Sequence, residues 1–73
     1  MLKRYEINLL ETGGALPPGP ARFKVSADDI EGAAIRASYE LGQDRADLIR
    51  LLDKYAYVSW ADRSIFCEIV EIE

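Results

Sequence analysis

The chain has 73 residues, of which 49% are hydrophobic and 30% charged, and its formal net charge at pH 7 is −4. It contains one cysteine and no histidine, which excludes an internal disulfide, the Cys/His zinc patterns and the usual general base of enzymes that work near neutral pH. A chain of this length predicts one domain, residues 1–73, with a marginal core. The lone thiol and the lack of a signal-like or membrane-spanning run predict a cytoplasmic protein.

The charges are unevenly distributed along the chain. Residues 1–26 carry four basic and two acidic side chains, whereas residues 27–73 carry five basic and eleven acidic ones. This balance disfavours direct nucleic-acid binding, which needs a basic surface. It is compatible with docking onto a basic partner surface, including one that normally holds nucleic acid.

The first element predicted along the chain is a half-buried strand over residues 2–10. Apolar and polar residues alternate there, so that one face carries Tyr5, Ile7 and Leu9. The Gly/Pro-rich run that follows predicts a loop over residues 12–20, because glycine permits positive φ and proline removes backbone donors.

A second strand is predicted from Ala21 to Val25. Its alternation places Phe23 and Val25 inward and Arg22 and Lys24 outward.

A single helix is predicted over about residues 27–41. Ser26 is the expected N-cap, because its hydroxyl can accept a hydrogen bond from a free amide of the first turn, and Gly42 is expected to end the helix. Gly32 is expected to mark a close approach of the helix to the sheet, since it costs about 1 kcal/mol relative to alanine. Residues that recur at helical spacing form a narrow stripe suited to packing on a sheet: Ile30, Ala33, Ala34, Ala37 and Leu41.

Residues 44–54 fit two structures. A helix would place the leucines of this segment and Tyr55 on one face, with Asp44 as its cap. A short strand over residues 48–52, turning at Asp53-Lys54, fits as well. The strand is the preferred interpretation, because a meander with the following strands is the simplest path for the chain.

The C-terminal segment, about residues 55–72, predicts a β-hairpin that is apolar on both faces. On its first arm Tyr55 and Tyr57 alternate with Ala56, Val58 and Trp60. On its second arm one face carries Ile65, Cys67 and Ile69, and the other carries Phe66, Val70 and Ile72. A strand with one solvated face should alternate apolar and polar residues, and so short a chain has too little material to cover both sides. The uncovered side is therefore predicted to bind a partner.

No set of residues in the sequence makes a plausible catalytic, cofactor or metal site. Cys67 lies in an apolar strand beside Glu68, and both features oppose thiolate formation, so a buried structural cysteine is expected. Asp28, Asp29 and Glu31 are explained as first-turn acids that favour the positive end of the helix dipole. The chain is therefore predicted not to be an enzyme and to need no cofactor.

These elements predict an α+β fold, a small two-layer domain with an antiparallel sheet and one helix packed on one face. The predicted order is β-β-α-β-β(-β), in which the strand over residues 48–52 is the optional one. In size, layout and lack of catalytic residues, the chain resembles small accessory proteins encoded by phages and prophages, among them the anti-CRISPR proteins. This resemblance implies a non-enzymatic inhibitor that occludes a surface of a host complex, and no motif carries a functional residue over from it.

The main functional hypothesis is a protein-binding module, with a host nucleoprotein complex as a candidate partner. Aromatic residues are enriched at interface hot spots, and acidic residues nearby would pair with a basic rim on the partner. The expected contact residues are Tyr55, Tyr57, Trp60, Phe66, Asp62, Glu68 and Glu71. About half of the four aromatic residues are expected to be core instead.

Two other hypotheses stay open. The first is a structural homo-oligomer, such as a homodimer, that buries the same apolar face against its own copy. The second and weaker one is a nucleic-acid binder that uses Arg4, Arg22 and Lys24 on the outer face of the first two strands.

Overall fold

The structure is a computed structural model that describes residues 1–14, 20–42 and 46–72. These residues form an α+β fold in the order β-β-α-β-β-β, which confirms the predicted fold class. The elements are β1 (Lys3–Gly14), β2 (Arg22–Ala27), α1 (Ile30–Gly42), β3 (Leu48–Leu52), β4 (Tyr55–Ser59) and β5 (Arg63–Ile72).

The strands form one antiparallel five-stranded sheet in the order β2-β1-β5-β4-β3. The two longest strands, β1 and β5, lie in its centre and pair along most of their length. Their register shifts once, between Leu9 and Glu11, where a bulge takes up the extra residue Leu10. The N-terminal hairpin and the C-terminal meander are therefore joined through the β1–β5 ladder, and β2 and β3 are the edges.

The predicted loop over residues 12–20 starts too early. Residues 12–14 still belong to β1 and pair with residues 63–65 of β5. The prediction was wrong here because the partner strand supplies hydrogen bonds beyond the point where the local Gly pattern suggests a turn. At the strand's end Gly14 has φ 81°, and a Cβ there would lie 2.2 Å from the carbonyl oxygen of Asp62, so glycine is required. Residues 15–19 of the predicted loop lie outside the described residues.

The helix begins at Ile30, three residues later than predicted, and its N-cap is Asp29 rather than Ser26. One carboxylate oxygen of Asp29 accepts a 2.7 Å hydrogen bond from the backbone N–H of Gly32. Ser26 pairs with Arg4 as part of β2. The ladder with β1 satisfies the backbone of this segment, and that pairing outweighs its local tendency to start a helix.

The core lies between α1 and one face of the sheet. The helix contributes its small-residue stripe, as predicted, and the strands contribute the alternating apolar residues that face it. The buried apolar side chains are Tyr5, Ile7, Val25, Ala27, Ala33, Ala34, Ala37, Leu41, Ala46, Ala56, Val58, Trp60, Ile65, Cys67 and Ile69. Ser38 is buried among them, and its hydroxyl donates to the carbonyl of Ile35 at 2.7 Å.

The preferred interpretation of residues 48–52 as a strand is confirmed. β3 pairs with β4 through a two-residue turn, Asp53-Lys54, in which Asp53 adopts φ 57°. Aspartate tolerates this left-handed conformation better than most residues. Asp44, the expected cap of the alternative helix, lies outside the described residues.

The helix lies mainly over β2, the strand that precedes it. Consequently the inner side of the far edge strand β3 is only partly covered, and Ile49 and Leu51 are half-buried. Among the described residues, no helix has the length and apolar composition that a membrane crossing requires.

Candidate functional site

The face of the sheet that points away from α1, here the open face, carries large apolar side chains on three neighbouring strands. Residues paired across an antiparallel ladder point to the same side of the sheet. Leu48 pairs with Ser59, Leu52 with Tyr55, and Tyr57 with Phe66. The side chains that follow from these pairs, here the aromatic patch, are Leu48, Leu52, Tyr55, Tyr57 and Phe66.

The aromatic patch is ordered and in contact with solvent. The rings of Tyr55 and Phe66 stack with centroids 5.8 Å apart and an angle of 8° between their planes. Leu52 is 79% exposed and Tyr57 is 41% exposed, whereas Tyr55 and Phe66 are half-buried. The patch is thus a partly exposed apolar surface on regular strands, and no described part of the chain closes it.

Charged side chains flank the patch at two places. At one end, Lys54 forms a 3.0 Å ion pair with Glu68 and lies 5.7 Å from the centroid of the Tyr55 ring. The hydrogen bond to Glu68 and the charge of that carboxylate raise the pKa of Lys54. Along the outer edge, Arg50 lies between Leu48 and Leu52 in the middle of β3, pairs across the ladder with Tyr57 and has no ion-pair partner among the described residues.

The remaining part of the open face, on β1 and β2, is polar. Arg4, Arg22 and Lys24 are exposed there, and their cross-strand neighbours are Ser26, Asn8 and Glu6. The three basic residues proposed for nucleic-acid contact therefore share one surface, here the basic strip. The basic strip is separated from β4 by β5, whose side chains Glu68, Val70 and Ile72 lie on the same face between them.

Four of the seven predicted contact residues lie together on the open face: Tyr55, Tyr57, Phe66 and Glu68. Two of these, Tyr57 and Phe66, are direct cross-strand neighbours. Of the three acidic residues in the set, each forms an ion pair within the domain, and the partners are Lys54 for Glu68, Arg63 for Asp62 and Lys3 for Glu71.

Trp60 is not on this face. It is 8% exposed, follows β4 on the helix side of the sheet and belongs to the core. The guanidinium carbon of Arg63 lies 4.6 Å from the centroid of the Trp60 ring, and Nη2 of Arg63 donates to the carbonyl of Gly42 at 2.9 Å. This arrangement fixes the C-terminal end of α1, where a cation is favoured by the helix dipole. Trp60 is therefore a structural residue, and its assignment as a partner contact is corrected.

Asp62 and Glu71 are also apart from the aromatic patch. Asp62 lies in the turn between β4 and β5 and accepts a 2.7 Å hydrogen bond from Arg63. Glu71 pairs with Tyr5, which points into the core, so its side chain emerges on the helix side of the sheet. Strand alternation alone predicts that Glu71 faces the helix side, because it is two residues from the inward-facing Ile69.

Three further residues lie on the open face without having been predicted as contact residues, namely Leu48, Arg50 and Leu52. They lie in the segment that fits both a helix and a strand, and the two structures place these side chains in different directions. The signal that identifies them is the alternation of residues 48–52 read in register with Tyr55 and Tyr57.

The buried thiol of Cys67 offers no reactive group. Its side chain is fully buried, and this burial raises its pKa to about 11, against a smaller opposite effect of the backbone at Ala56. Within the described ranges, no group of three or more His, Cys, Asp or Glu side chains is placed to hold a metal ion.

Comparison with known proteins adds no relative to this picture. No protein-family model matches the sequence, and no curated protein and no solved structure matches the chain.

Proposed function

We propose that this domain is a non-enzymatic protein-binding module whose contact surface is the aromatic patch. The observation that carries the proposal is the exposure of large apolar side chains on a face that no described element covers, with Leu52 79% and Tyr57 41% exposed. Contiguous apolar surface of this kind, rimmed by charge, is typical of protein interaction sites.

The construction of the patch supports tight binding. Its residues stand on paired strands, and the stacked rings of Tyr55 and Phe66 restrict each other. A contact surface that is ordered before binding loses little side-chain entropy when the partner arrives.

The charge of the chain bears on the class of partner. Its net charge of −4 favours approach to a basic surface, since complementary potentials accelerate association and orient the partners. The resemblance in size and layout to small phage proteins extends the proposal to an inhibitor that occludes a surface of a host nucleoprotein complex.

A second candidate function is a homo-oligomer, and the same exposed patch favours it. A second copy that covered Leu52 and Tyr57 would remove as much apolar surface from water as a foreign partner would.

The proposal is tested by site-specific photo-crosslinking in cells that express the chain. A photoreactive phenylalanine analogue replaces Tyr57 in one version and Tyr39 in the other. Tyr39 is a matched control, because it is 49% exposed and lies on α1, on the other side of the sheet. We expect one dominant protein adduct from position 57 and none from position 39.

The identity of the adduct separates the hypotheses. A foreign protein supports the proposal, and an adduct of twice the chain's mass supports the homo-oligomer. An adduct that nuclease digestion removes supports the nucleic-acid binder, and equal labelling from both positions contradicts any role for the patch. With the purified partner, Tyr57→Ser should weaken binding at least about tenfold, while Tyr39→Ser should leave it unchanged.

A further inference from the structure

The outermost strand β3 has backbone hydrogen-bonding groups that the sheet does not use. The backbone N–H of Ile69 donates to the carbonyl of Lys54, the residue before β4, at 2.7 Å. The N–H and C=O groups of the even-numbered residues Ala56 and Val58 therefore also point toward β5. Because the direction alternates along a strand, Tyr55 and Tyr57 direct theirs toward β3. Their partners Leu52 and Arg50 bond inward, and the N–H and C=O groups of Ile49 and Leu51 point away from the sheet.

The two edges of the sheet differ in how they are protected. The β2 edge presents exposed Arg22 and Lys24 and has the helix packed over it. The β3 edge has the sequence Leu-Ile-Arg-Leu-Leu, with Arg50 as its one charged residue. Charged side chains and covering elements are the usual protection of an edge strand, so β3 is the edge that is open to the addition of another strand.

We propose that β3 receives an extended segment of the partner protein, in which an acidic residue opposite Arg50 is flanked by two apolar residues. This inference rests on the proposed function, because it specifies how the bound partner continues the sheet next to the aromatic patch. The free backbone groups of Ile49 and Leu51 define the hydrogen bonds of the added strand.

Successive side chains of an added strand point alternately to the open face and to the helix side of the sheet. The residue opposite Arg50 lies on the open face, where Arg50 has no ion-pair partner among the described residues. A carboxylate there meets an unpaired guanidinium beside Tyr57. The neighbouring residues lie on the helix side, next to an open groove of about 590 Å³ lined by Glu31, Ile35, Ala46, Asp47, Ile49 and Leu51. Apolar side chains suit this groove, whereas its acidic rim disfavours a carboxylate.

A second copy of the chain is a poorer occupant of the β3 edge. Two copies of β3 related by a two-fold axis overlap most fully when Ile49 of each lies opposite Leu51 of the other. In that register the two Arg50 side chains lie directly opposite each other, and like charges in this position are destabilising. Shifted registers avoid this contact but shorten the ladder.

The test uses two capped peptides, Thr-Val-Glu-Val-Thr and Thr-Val-Lys-Val-Thr, titrated into the intact isotope-labelled chain. We expect the glutamate peptide to shift the backbone amide resonances of Ile49 and Leu51 and to slow their exchange with solvent. The lysine peptide should bind about tenfold more weakly. In the variant Arg50→Glu the order of the two peptides should reverse.

Several outcomes would overturn the inference. The inference fails if neither peptide binds, if the wild type and Arg50→Glu prefer the same peptide, or if the resonance shifts map away from β3. It also fails if the chain doubles in mass with rising concentration and the peptides reverse this doubling. The variant Tyr57→Ser shows whether a failure of strand addition at β3 also means a failure of the proposed function. If Tyr57→Ser weakens binding of the partner identified by cross-linking while the peptides do not bind, the patch functions without strand addition. If the peptides bind β3 while no partner depends on Tyr57, the aromatic patch is not the contact surface.

Discussion

On β3, β4 and β5 both faces of the sheet carry large apolar side chains, but the two faces have very different surroundings. In β5, Ile65, Cys67 and Ile69 point toward α1 and are at most 1% exposed. Phe66 and Val70 of the same strand point the other way and are half-buried, although nothing in the described chain packs on them from above. The open face is therefore shielded by its own neighbouring side chains, whereas the other face is shielded by a separate layer.

This difference shows that the apolar character of a strand does not by itself identify which of its side chains form the core. A helix of 13 residues can cover one face of the sheet, and in this molecule it lies mainly over the β2 side. The apolar side chains left over on β3, β4 and β5 contribute less to folding, and they are available for contact with another molecule.

The largest expected effect is a difference in the free energy of unfolding between variants of two neighbouring residues, Ile65 and Phe66, which lie on opposite faces of the sheet. Ile65→Ala removes a fully buried side chain and should lower the free energy of unfolding by about 3–4 kcal/mol. Phe66→Ala removes a larger but half-exposed side chain, and it should cost about 1–2 kcal/mol through the lost stacking on Tyr55. Urea unfolding of both variants measures the two values. Equal costs would show that the two faces contribute alike and that the open face is part of the folding core.

Burial of Cys67 on the covered face makes the stability of the protein depend on pH. The pKa of Cys67 rises from its ordinary 9.0 to about 11 in the folded protein. Below pH 9 the thiol is protonated in both states and has no effect on the pH dependence. Between pH 9 and 11 the unfolded chain loses the proton and the folded chain keeps it, so stability falls by about 2–3 kcal/mol.

This loss is measured as a difference between the wild type and Cys67→Ala, each unfolded by urea from pH 8 to 11. The other groups that titrate in this range are common to both proteins and cancel. The stability advantage of the wild type should shrink as the pH rises, and parallel curves would show that the thiol is accessible to water in the folded state.

The smallest effect concerns the contact between the end of the helix and Trp60. A Cβ on Gly42 would lie 2.7 Å from two carbons of the Trp60 indole, so the ring must move. Gly42→Ala should therefore cost a net of about 1–2 kcal/mol, even though alanine favours the helix.

Gly32→Ala is the matched control on the same helix. Its Cβ would lie 3.2 Å from a carboxylate oxygen of Asp29, which caps the helix, and 3.3 Å from the Cβ of Ala27 in β2, so these neighbours must shift slightly. Crowding offsets part of the gain in helix propensity of about 1 kcal/mol, so the net change should be close to zero and more favourable than that of Gly42→Ala. Thermal unfolding compares the two variants, and a stable Gly42→Ala protein would contradict the tight packing of Trp60. The close approach of the helix to the sheet expected at Gly32 is confirmed, because Ala27 of β2 lies 3.3 Å from where its Cβ would stand, and Gly42 makes a second, tighter approach to Trp60.

Local pattern was sufficient for most of the secondary structure. The alternation around Tyr5 and Ile7, the helical recurrence of the alanines, and the two apolar registers of residues 55–72 each have one satisfactory interpretation, because a period of two and a period of 3.6 residues bury different sets of side chains. The same alternation separated the inward Ile65 from the outward Phe66.

Element ends and the membership of the site depended on contacts between distant residues. β1 extends to Gly14 because β5 pairs with it there, and Ser26 is a strand residue because Arg4 lies opposite. Neither partner is visible from the local sequence.

The sequence by itself determined that apolar side chains would remain on a second face of the C-terminal strands, since residues 55–72 carry two apolar registers and the one helix of the described residues packs on one face. Only the tertiary structure decided which residues form that face. It brought Leu48 and Leu52 beside Tyr55 and Tyr57, and it placed Trp60 under Arg63 at the end of the helix. The physical reason is that strand order and register, rather than residue type, set which side chains become neighbours across a sheet.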